Sequence, residues 1–315
     1  MLRARARGGA LGPREPSRFV VAAIPAYNEE KTIARVILQA RKFVDRVVVC
    51  DDGSTDMTVE IAEGLGADVV RHERNLGYGA AVQSLFKRAR KLDVDVMVTL
   101  DGDGQHDPSE IPMLVDPVLE GKADVVVGSR FLGDMERRNR VPRYRRLGIK
   151  LITRLTGAAS SHSFSDAQSG FRVYGRKALE SLDLCENGMG VSVEVLMEAE
   201  KQGLTVVEVP TGCNYHGLET STRGPLRHGV SVVMSIVRLV VEERPLLFLG
   251  VPGIVSLLIG VLFGVWMLQL YAVEHRIVTN IALASIAFIL IGMFSIFIAI
   301  TLYAIARLTK KMNNS

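Results

Sequence analysis

The sequence predicts an α/β domain followed by two transmembrane α-helices. Apolar, β-branched runs alternate with helical segments through the first half of the chain, and two long uncharged runs lie near its end. Hydrophobic residues make up 48% of the 315 residues, although 23% are charged. The mean hydropathy of +0.22 is too high for an ordinary soluble enzyme and too low for a polytopic transporter. This composition also excludes a collagen, a coiled coil, a disulfide scaffold and a wholly disordered chain.

The first half of the chain contains five predicted strands, and a helix follows each of the first four. Strands are predicted over Phe19–Pro25, Arg46–Asp51, Asp68–Arg71, Asp95–Asp101 and Asp124–Ser129. Helices are predicted over Glu29–Phe43, Thr55–Leu65, Ala80–Lys91 and Pro108–Glu120. Because continuous apolar strands alternate with helices, we expect a parallel sheet that helices cover on both faces.

The second half is less regular and ends in the two uncharged runs. Helices are predicted over Lys177–Leu182 and Val191–Gln202, and a strand over Thr205–Val209. The runs 245–273 and 277–306 each exceed the ~20 residues that a helix needs to cross a bilayer. The predicted organisation is a flexible basic tail (1–18), the α/β domain (19–225), an amphipathic interfacial helix (226–244), two transmembrane helices (245–273 and 277–306) and a cytoplasmic tail (307–315). An ordinary core helix remains the alternative for 226–244.

The net charge and the cysteine content further restrict the class of protein and its compartment. The formal net charge is +4, and the first 18 residues alone contribute +4 from five arginines and one glutamate. The remainder is neutral overall, so we expect no nucleic-acid partner. The three cysteines, Cys50, Cys185 and Cys213, are scattered and odd in number, which is typical of a reducing compartment.

The most polar, glycine-rich motifs lie where predicted strands end. They are PAYNEE (25–30), DDGSTD (51–56), LDGDGQ (100–105) and VGSR (127–130). In open α/β sheets, ligands bind beyond the carboxyl ends of the strands. The sequence therefore predicts one ligand site at this edge of the sheet.

A divalent cation is predicted at the motif after the fourth strand. Asp101 and Asp103 are two residues apart with glycine between them, and Gln105 follows. Such hard oxygen ligands suit Mg²⁺ or Mn²⁺, which usually bind substrate phosphates as well. A purely structural acidic turn is the alternative.

The first two motifs are interpreted as a nucleotide site. Asp52 follows a strand, which is where many nucleotide sites place an acidic residue that binds a base or ribose. Tyr27 and Asn28 are placed to flank a base, and Ser54 or Thr55 is a candidate N-cap. Capping and helix initiation alone are the alternatives. The histidines, His72 among them, are interpreted as surface or packing residues.

The segment 137–154 contains eight basic residues and no acidic one, including Arg143, Arg145 and Arg146. Arginine suits bidentate phosphate contacts, so an acceptor phosphate site is predicted here. A solvated basic face is the alternative.

Taken together, PAYNEE, DDGSTD, DGDGQ, GSR and DAQSGFR (166–172) resemble family 2 inverting glycosyltransferases. The likeness is to dolichyl-phosphate mannose synthases and related archaeal and bacterial polyprenyl-phosphate glycosyltransferases with two C-terminal transmembrane helices. The resemblance implies a GT-A (Rossmann-like) nucleotide-sugar domain. Processive synthases of the family carry a Gln-x-x-Arg-Trp motif after this region, whereas the single tryptophan here is Trp266. Transfer of a single sugar is therefore expected.

The resemblance also implies roles for particular residues. Pro25, Tyr27, Glu29, Asp52 and Asp101 would hold the nucleotide sugar. Asp101, Asp103 and Gln105 would hold the metal. The catalytic residues implied by the resemblance are Asp166, Arg130 and Arg172.

The sequence thus predicts an enzyme that transfers a hexose or N-acetylhexosamine from a UDP- or GDP-sugar to dolichyl or polyprenyl phosphate, for glycan assembly or protein glycosylation. A transferase to another membrane lipid such as diacylglycerol and a non-catalytic nucleotide-sugar-binding membrane protein remain alternatives. We expect a two-span protein of the cell membrane, or of the endoplasmic reticulum in a eukaryote, with a cytoplasmic catalytic domain. A homo-oligomer through the transmembrane helices is left open.

Overall fold

The computed structural model describes residues 18–133, 153, 164–213 and 245–313. These residues form two compact units. The first unit comprises 18–133, 169–185 and 201–213, and the second comprises 153, 164–168, 186–200 and 245–313. The predicted interfacial helix (226–244) and the phosphate-binding arginines Arg143, Arg145 and Arg146 lie outside the described residues.

A seven-stranded sheet forms the centre of the first unit. Its strands in chain order are β1 (Val20–Ala26), β2 (Arg46–Asp51), β3 (Asp68–Arg71), β4 (Val96–Thr99), β5 (Val125–Ser129), β6 (Arg172–Gly175) and β7 (Val206–Pro210). In space they are arranged in the order β3-β2-β1-β4-β6-β5-β7. Six of the seven were predicted, because each contains a run of valines, alanines or isoleucines; β6 was not.

The prediction of an all-parallel sheet is wrong at β6, which runs antiparallel to both of its neighbours, β4 and β5. Arg172, its first residue, pairs with Thr99 at the end of β4 and with Val127 in β5. The chain therefore re-enters the sheet at the edge where β5 leaves it, so β6 has to run in the opposite direction. As a result, the loop before β6 joins the same edge as the ends of β1, β2, β4 and β5.

In the described ranges, six α-helices accompany the sheet along the chain. They are α1 (Ile33–Ala40), α2 (Thr58–Gly64), α3 (Tyr78–Lys91), α4 (Ile111–Leu119), α5 (Arg176–Ser181) and α6 (Val191–Lys201). The apolar positions predicted for the first helix, Ile33, Val36, Ile37 and Ala40, form its buried face. They join a core that includes Ile24, Val98, Leu114 and Phe171. Burying such side chains stabilises the fold by about 1.5–3 kcal/mol each.

The second unit contains two long apolar helices, α7 (Val251–Glu274) and α8 (Thr279–Asn313). The segments Leu246–Glu274 and Thr279–Ile305 are long and apolar enough to cross a membrane, and an 18-residue stretch of each has a mean hydropathy of 2.6 and 2.7, respectively. Large apolar side chains point away from the hairpin and are more than half exposed, among them Leu262, Leu268, Phe294 and Phe297. Such a surface is suited to contact with lipid.

Glycines bring the two helices together. A Cβ at Gly292 would lie 2.7 Å from the carbonyl oxygen of Gly253, and one at Gly260 would lie 2.8 Å from the backbone nitrogen of Ile289. The hydroxyl of Ser285 donates a hydrogen bond to the carbonyl of Gly260 at 2.8 Å. Small residues and hydroxyl hydrogen bonds of this kind typically join helices within a bilayer, where the hydrophobic effect between helices is weak.

Candidate active site

The carboxyl edge of the sheet gathers the motifs that the sequence singled out. β1 and β2 end in the segments that contain Tyr27 and Asp52, β4 ends beside Asp101, and β5 ends next to Arg130. Because β1, β2, β4 and β5 all run in the same direction, these four ends lie on one side of the sheet. The antiparallel β6 begins at this side too, which adds the loop containing Gly170.

The first two loops are tied to each other by backbone-to-side-chain hydrogen bonds. The backbone N–H of Asn28 donates to Oγ of Ser54 at 2.8 Å, and the N–H of Thr55 donates to Oδ1 of Asn28 at 2.9 Å. The N–H of Glu29 donates to the hydroxyl of Thr58 at 2.8 Å. These bonds hold the two loops as one wall of the site.

This wall changes two expectations for individual residues. Asn28, expected to flank a base, uses its side-chain oxygen to hold Thr55. Neither Ser54 nor Thr55 is the N-cap of α2, which begins only at Thr58. The reason is that both residues are needed for the cross-links between the loops. Tyr27 remains 36% exposed and available to a ligand.

Asp52 organises the next loop along the edge. Its carboxylate is 4% exposed and accepts hydrogen bonds from the backbone N–H groups of Leu76 and Gly77, both at 2.9 Å. Nδ1 of His72 donates to the same carboxylate at 2.8 Å. A carboxylate has about four acceptor positions, so these three bonds leave roughly one for a ligand. His72 is thus a packing residue that supports the Asp52 carboxylate. Its Nε2 lies 2.8 Å from Oγ of Ser84.

Gly53, the third residue of the DDGSTD motif, allows the segment before α3 to approach the motif. Its φ of +76° is a left-handed conformation that favours glycine. A Cβ there would lie 2.5 Å from the carbonyl carbon of Arg74. The glycine is therefore required for steric reasons, and the segment 73–77 packs directly on the predicted nucleotide motif.

The predicted metal motif forms a tight turn after β4. The backbone N–H of Gln105 donates to Oδ1 of Asp103 at 2.9 Å, and the hydroxyl of Thr32 donates to the carbonyl of Gly102 at 2.8 Å. Nδ1 of His106 accepts from the backbone N–H of Asp101 at 3.3 Å. Together these contacts attach the turn to the α1 region and to the His106 ring.

Negative charge is concentrated beside this turn. The pKa of Glu29 is raised to about 7, chiefly because burial disfavours its charged form, and the carboxylates of Asp103 and Asp101 add repulsion. Burial also raises the pKa of Asp101, against the opposing effects of the Tyr78 hydrogen bond and the positive charge of Arg130. About a third of the Asp101 side chain is nevertheless still accessible. This arrangement of three mutually repelling carboxylates is chemically suited to a divalent cation.

The side chains in the described part of the chain do not complete a coordination shell by themselves. Among the described residues, no group of three or more His, Cys, Asp or Glu side chains is arranged to enclose a metal ion. Mg²⁺ and Mn²⁺ commonly bind through one or two carboxylates and take their remaining ligands from substrate phosphates and water. The oxygen donors of Asp101, Asp103 and Gln105 fit that pattern.

The SGFR segment contacts Asp101 directly. A Cβ at Gly170 would lie 2.8 Å from Oδ1 of Asp101 and 2.9 Å from the hydroxyl oxygen of Tyr78. The hydroxyl of Thr99 donates to the carbonyl of Gly170 at 2.9 Å, which attaches this glycine to the end of β4. Only a residue without a side chain can occupy this position.

The two remaining residues implied at the reaction centre are both buried. Arg172 is 2% exposed, and its Nε donates to the carbonyl of Ser169 at 2.8 Å. Its positive charge opposes the rise that burial and Asp101 cause in the pKa of Tyr78. Asp166, in the second unit, is 0% exposed, and its Oδ1 accepts from the N–H of Gln168 at 3.3 Å. Each side chain therefore contacts its own loop or its buried neighbours in this conformation.

Sequence reasoning missed Tyr78 and the particular role of Gly170. Tyr78 lies outside the quoted motifs, at the start of α3, and its hydroxyl donates to Oδ1 of Asp101 at 3.3 Å. Its position after the third strand, at the same edge as the other loops, is the signal that was available. Gly170 lay within a recognised motif, but its contact with Asp101 depends on the direction of β6.

Comparison with known proteins identifies the family. The family model described as Glycosyl transferase family 2 matches residues 21–183. Glycosyltransferase AglJ of Haloferax volcanii is 31% identical over 272 residues, which cover 84% of this chain and 87% of the relative. A dolichyl-phosphate hexose transferase of the same organism is 34% identical, with coverages of 69% and 92%.

A solved structure shows the same fold. Glucosyl-3-phosphoglycerate synthase from Mycobacterium tuberculosis, in complex with Mn²⁺ and UDP-glucose, is 26% identical to this chain with a TM-score of 0.54. The match covers 70% of this chain and 79% of that one. The first unit accordingly has the GT-A-like α/β architecture expected from the motifs.

Replacing Gly170 by alanine tests the steric contact at Asp101. The new methyl group would overlap the Asp101 carboxylate and the Tyr78 hydroxyl, so we expect turnover to fall about 100-fold, as small displacements of catalytic groups can cause. Steady-state kinetics and the thermal unfolding midpoint of the variant should be measured together. Gly64→Ala is the matched control, because a Cβ there meets nothing within 4 Å. Wild-type turnover in Gly170→Ala would show that the contact does not constrain the site.

Proposed function

The chain belongs to glycosyl transferase family 2, and we propose that it transfers a single sugar from a nucleotide sugar to dolichyl or polyprenyl phosphate with inversion at the anomeric carbon. The single observation that carries the proposal is the edge of the sheet, where a nucleotide-type wall and an acidic turn occur together, in a chain that also contains two membrane-length helices. The dolichyl-phosphate transferase among its relatives supports the same acceptor.

The proposed donor is a UDP- or GDP-linked hexose or N-acetylhexosamine. Tyr27, the wall formed by the first two loops, and the remaining acceptor position of Asp52 would hold the nucleoside. Pro25 and Glu29 lie in the same segment. The UDP-glucose bound by the structurally similar synthase supports a nucleotide-sugar donor of this kind.

Asp101, Asp103 and Gln105 would hold Mg²⁺ or Mn²⁺ against the donor diphosphate. When bound, such a cation offsets the negative charge that develops on the leaving diphosphate. Arg130 is close enough to Asp101 to lower the pKa of that carboxyl, and a guanidinium there would stabilise the same charge. The Mn²⁺ present in the similar synthase is consistent with this assignment.

The reaction itself requires little proton transfer. An oxygen of the acceptor phosphate attacks the anomeric carbon, the bond to the diphosphate breaks, and nucleoside diphosphate leaves. Holding both substrates in one site removes much of the entropic barrier. Arg143, Arg145 and Arg146 are proposed to bind the acceptor phosphate, because a cluster of guanidinium groups suits a dianion.

The experiment that tests the function is a transfer assay with the purified full-length chain. Dolichyl phosphate, diacylglycerol and a panel of UDP- and GDP-sugars are supplied with Mg²⁺ or Mn²⁺, and products are identified by mass spectrometry. We expect one sugar on the polyprenyl phosphate, no transfer by Asp103→Asn, and a raised acceptor KM with unchanged donor KM when Arg143, Arg145 and Arg146 are changed to Glu. Transfer to diacylglycerol alone would support the other lipid acceptor, and donor binding without any transfer would support a binding protein.

Asp166 is proposed to orient its loop, because its carboxylate is fully buried and accepts a local backbone N–H. A phosphate monoester with a second pKa near ~6 is already largely dianionic at neutral pH, so it needs no general base. We expect Asp166→Asn to retain measurable transfer above pH 7 and to lose more activity below pH 6, where the acceptor is a monoanion. A pH-rate profile with saturating acceptor checks this. A complete loss that is independent of pH from 6 to 8.5 would show that Asp166 does essential chemistry.

The two apolar helices are proposed to form a hairpin that keeps the catalytic domain in the cytoplasm. Arg307, Lys310 and Lys311 follow the apolar segment Thr279–Ile305, whereas Arg276 is the single basic side chain between the helices apart from His275. The positive-inside rule places the more basic side in the cytoplasm.

Cysteine labelling in intact cells measures this topology. Cys185 is exposed in the catalytic domain, whereas Cys50 and Cys213 are buried. An impermeant maleimide should label a His275→Cys variant from outside and reach Cys185 only after the membrane is permeabilised. A Cys185→Ser background separates the two signals. Labelling of Cys185 in sealed cells would contradict the proposed orientation.

A further inference from the structure

We infer that Tyr78 is a positioning residue that fixes the carboxylate of Asp101 so that Oδ2 is presented to a divalent cation. The inference rests on the proposed function, since it assigns a task to a residue beside the proposed metal ligand. Tyr78 lies outside the sequence motifs that led to the site. The supporting observations are the hydrogen bond from Tyr78 to Asp101, the contacts that fix the position of Tyr78, and the close approach of Gly170 to the same carboxylate.

The hydrogen-bond pattern of Asp101 is asymmetric. The hydroxyl of Tyr78 donates to Oδ1 at 3.3 Å, and within the described ranges it is the one side chain that does so. Nδ1 of His106 lies 3.8 Å from Oδ2, too far for a hydrogen bond, and it already accepts the backbone N–H of Asp101. A phenol is protonated at neutral pH, so Tyr78 acts as a constant donor to Oδ1. Oδ2 is left for an external ligand.

The backbone of Gly170 approaches the same carboxylate. A Cβ on Gly170 would lie 2.8 Å from Oδ1 and 3.0 Å from Oδ2 of Asp101, and 2.9 Å from the hydroxyl oxygen of Tyr78. Gly170 cannot retreat easily, because its carbonyl accepts a hydrogen bond from Thr99 at 2.9 Å. The hydrogen bond from Tyr78 and the close approach of Gly170 together restrict a rotation of the carboxylate that would exchange its two oxygens.

Tyr78 is itself held by the predicted nucleotide loop. It is the first residue of α3 and follows Gly77, whose φ of +106° favours glycine. The N–H groups of Leu76 and Gly77 both bind the Asp52 carboxylate. A continuous set of contacts thus links Asp52 to Asp101 through Tyr78, so the same short segment joins the nucleotide wall to the proposed metal ligand.

Removing the hydroxyl tests this assignment. Groups that hydrogen-bond a metal ligand typically change metal affinity by about 10- to 100-fold when they are mutated. We therefore expect Tyr78→Phe to weaken Mn²⁺ binding to the full-length protein by about 10-fold or more, measured by electron paramagnetic resonance with and without UDP. The KM for Mn²⁺ should rise, while kcat at saturating Mn²⁺ stays within about threefold of wild type, because the phenol orients a ligand and does not touch the substrate.

Tyr174→Phe is the matched control. Tyr174 is buried in the same unit, its ring packs edge-on against Phe86 at 4.8 Å, and its hydroxyl interacts with Arg172 and Thr99. The Tyr174→Phe variant also loses a phenol oxygen from a buried position, so a purely structural effect would appear in both variants. We expect its Mn²⁺ affinity to match that of wild type. Thermal unfolding of both variants checks that each is folded.

Several outcomes would overturn the inference. These are wild-type Mn²⁺ affinity in Tyr78→Phe, an equal loss in Tyr174→Phe, and a fall in kcat that saturating Mn²⁺ does not restore. If Tyr78→Phe does not fold, Gly170→Ala displaces the same carboxylate by steric overlap and should weaken Mn²⁺ binding by a similar factor; unchanged binding there would also overturn the inference. Failure of the proposed function appears differently, as a wild-type protein that transfers no sugar to polyprenyl phosphate whatever the state of residue 78.

Discussion

The approach of the Gly170 backbone to the Asp101 carboxylate is the contact on which the rest of the site depends. It requires that β6 run antiparallel between β4 and β5, so that the loop before β6 reaches the edge where β4 ends. It also requires glycine, because a Cβ would lie within 3 Å of two carboxylate oxygens and a phenol. The direction of one four-residue strand thus determines where the acidic turn can lie.

The electrostatics of this edge explain why it is suited to a charged ligand. Glu29, Asp101 and Asp103 lie close enough to influence one another, and burial raises the pKa of the first two. A folded domain tolerates such repulsion when hydrogen bonds hold the loops, as Thr32, His106 and Tyr78 do here. A divalent cation bound at this edge would offset the repulsion.

The loops of this frame are joined in series. Asn28 connects the first loop to the second, Asp52 connects the second to the segment before α3, and Tyr78 connects that segment to Asp101. Backbone N–H groups supply most of these bonds, and short side chains accept them. These hydrogen bonds restrain the loops at the proposed nucleotide end. The second unit contributes the apolar helices, whose glycine contacts allow close packing in an environment where burial alone stabilises little.

The sequence alone determined the class of the domain, six of seven strands, the first-helix core and the two membrane-length helices. These features depend on the local periodicity of apolar residues and on uninterrupted apolar length, which neighbouring residues in the chain set by themselves. The motifs at the strand ends likewise select Asp52, Asp101 and Asp103 as candidate site residues, because they are polar, glycine-rich segments that follow buried strands.

Only the tertiary structure decided what surrounds those residues. The antiparallel β6 is short and begins with a charged residue, so its pattern predicts no strand, and its direction follows from pairing with strands more than 40 residues earlier in the chain. Asn28 and Ser54 contact each other across 26 residues, Tyr78 reaches Asp101 across 23, and Gly170 meets Asp101 from a different part of the sheet. Hydrogen bonds and steric exclusion act through distances of about 3 Å in space. Residues that are far apart in the chain come within such distances only once the sheet has set the position and direction of every strand.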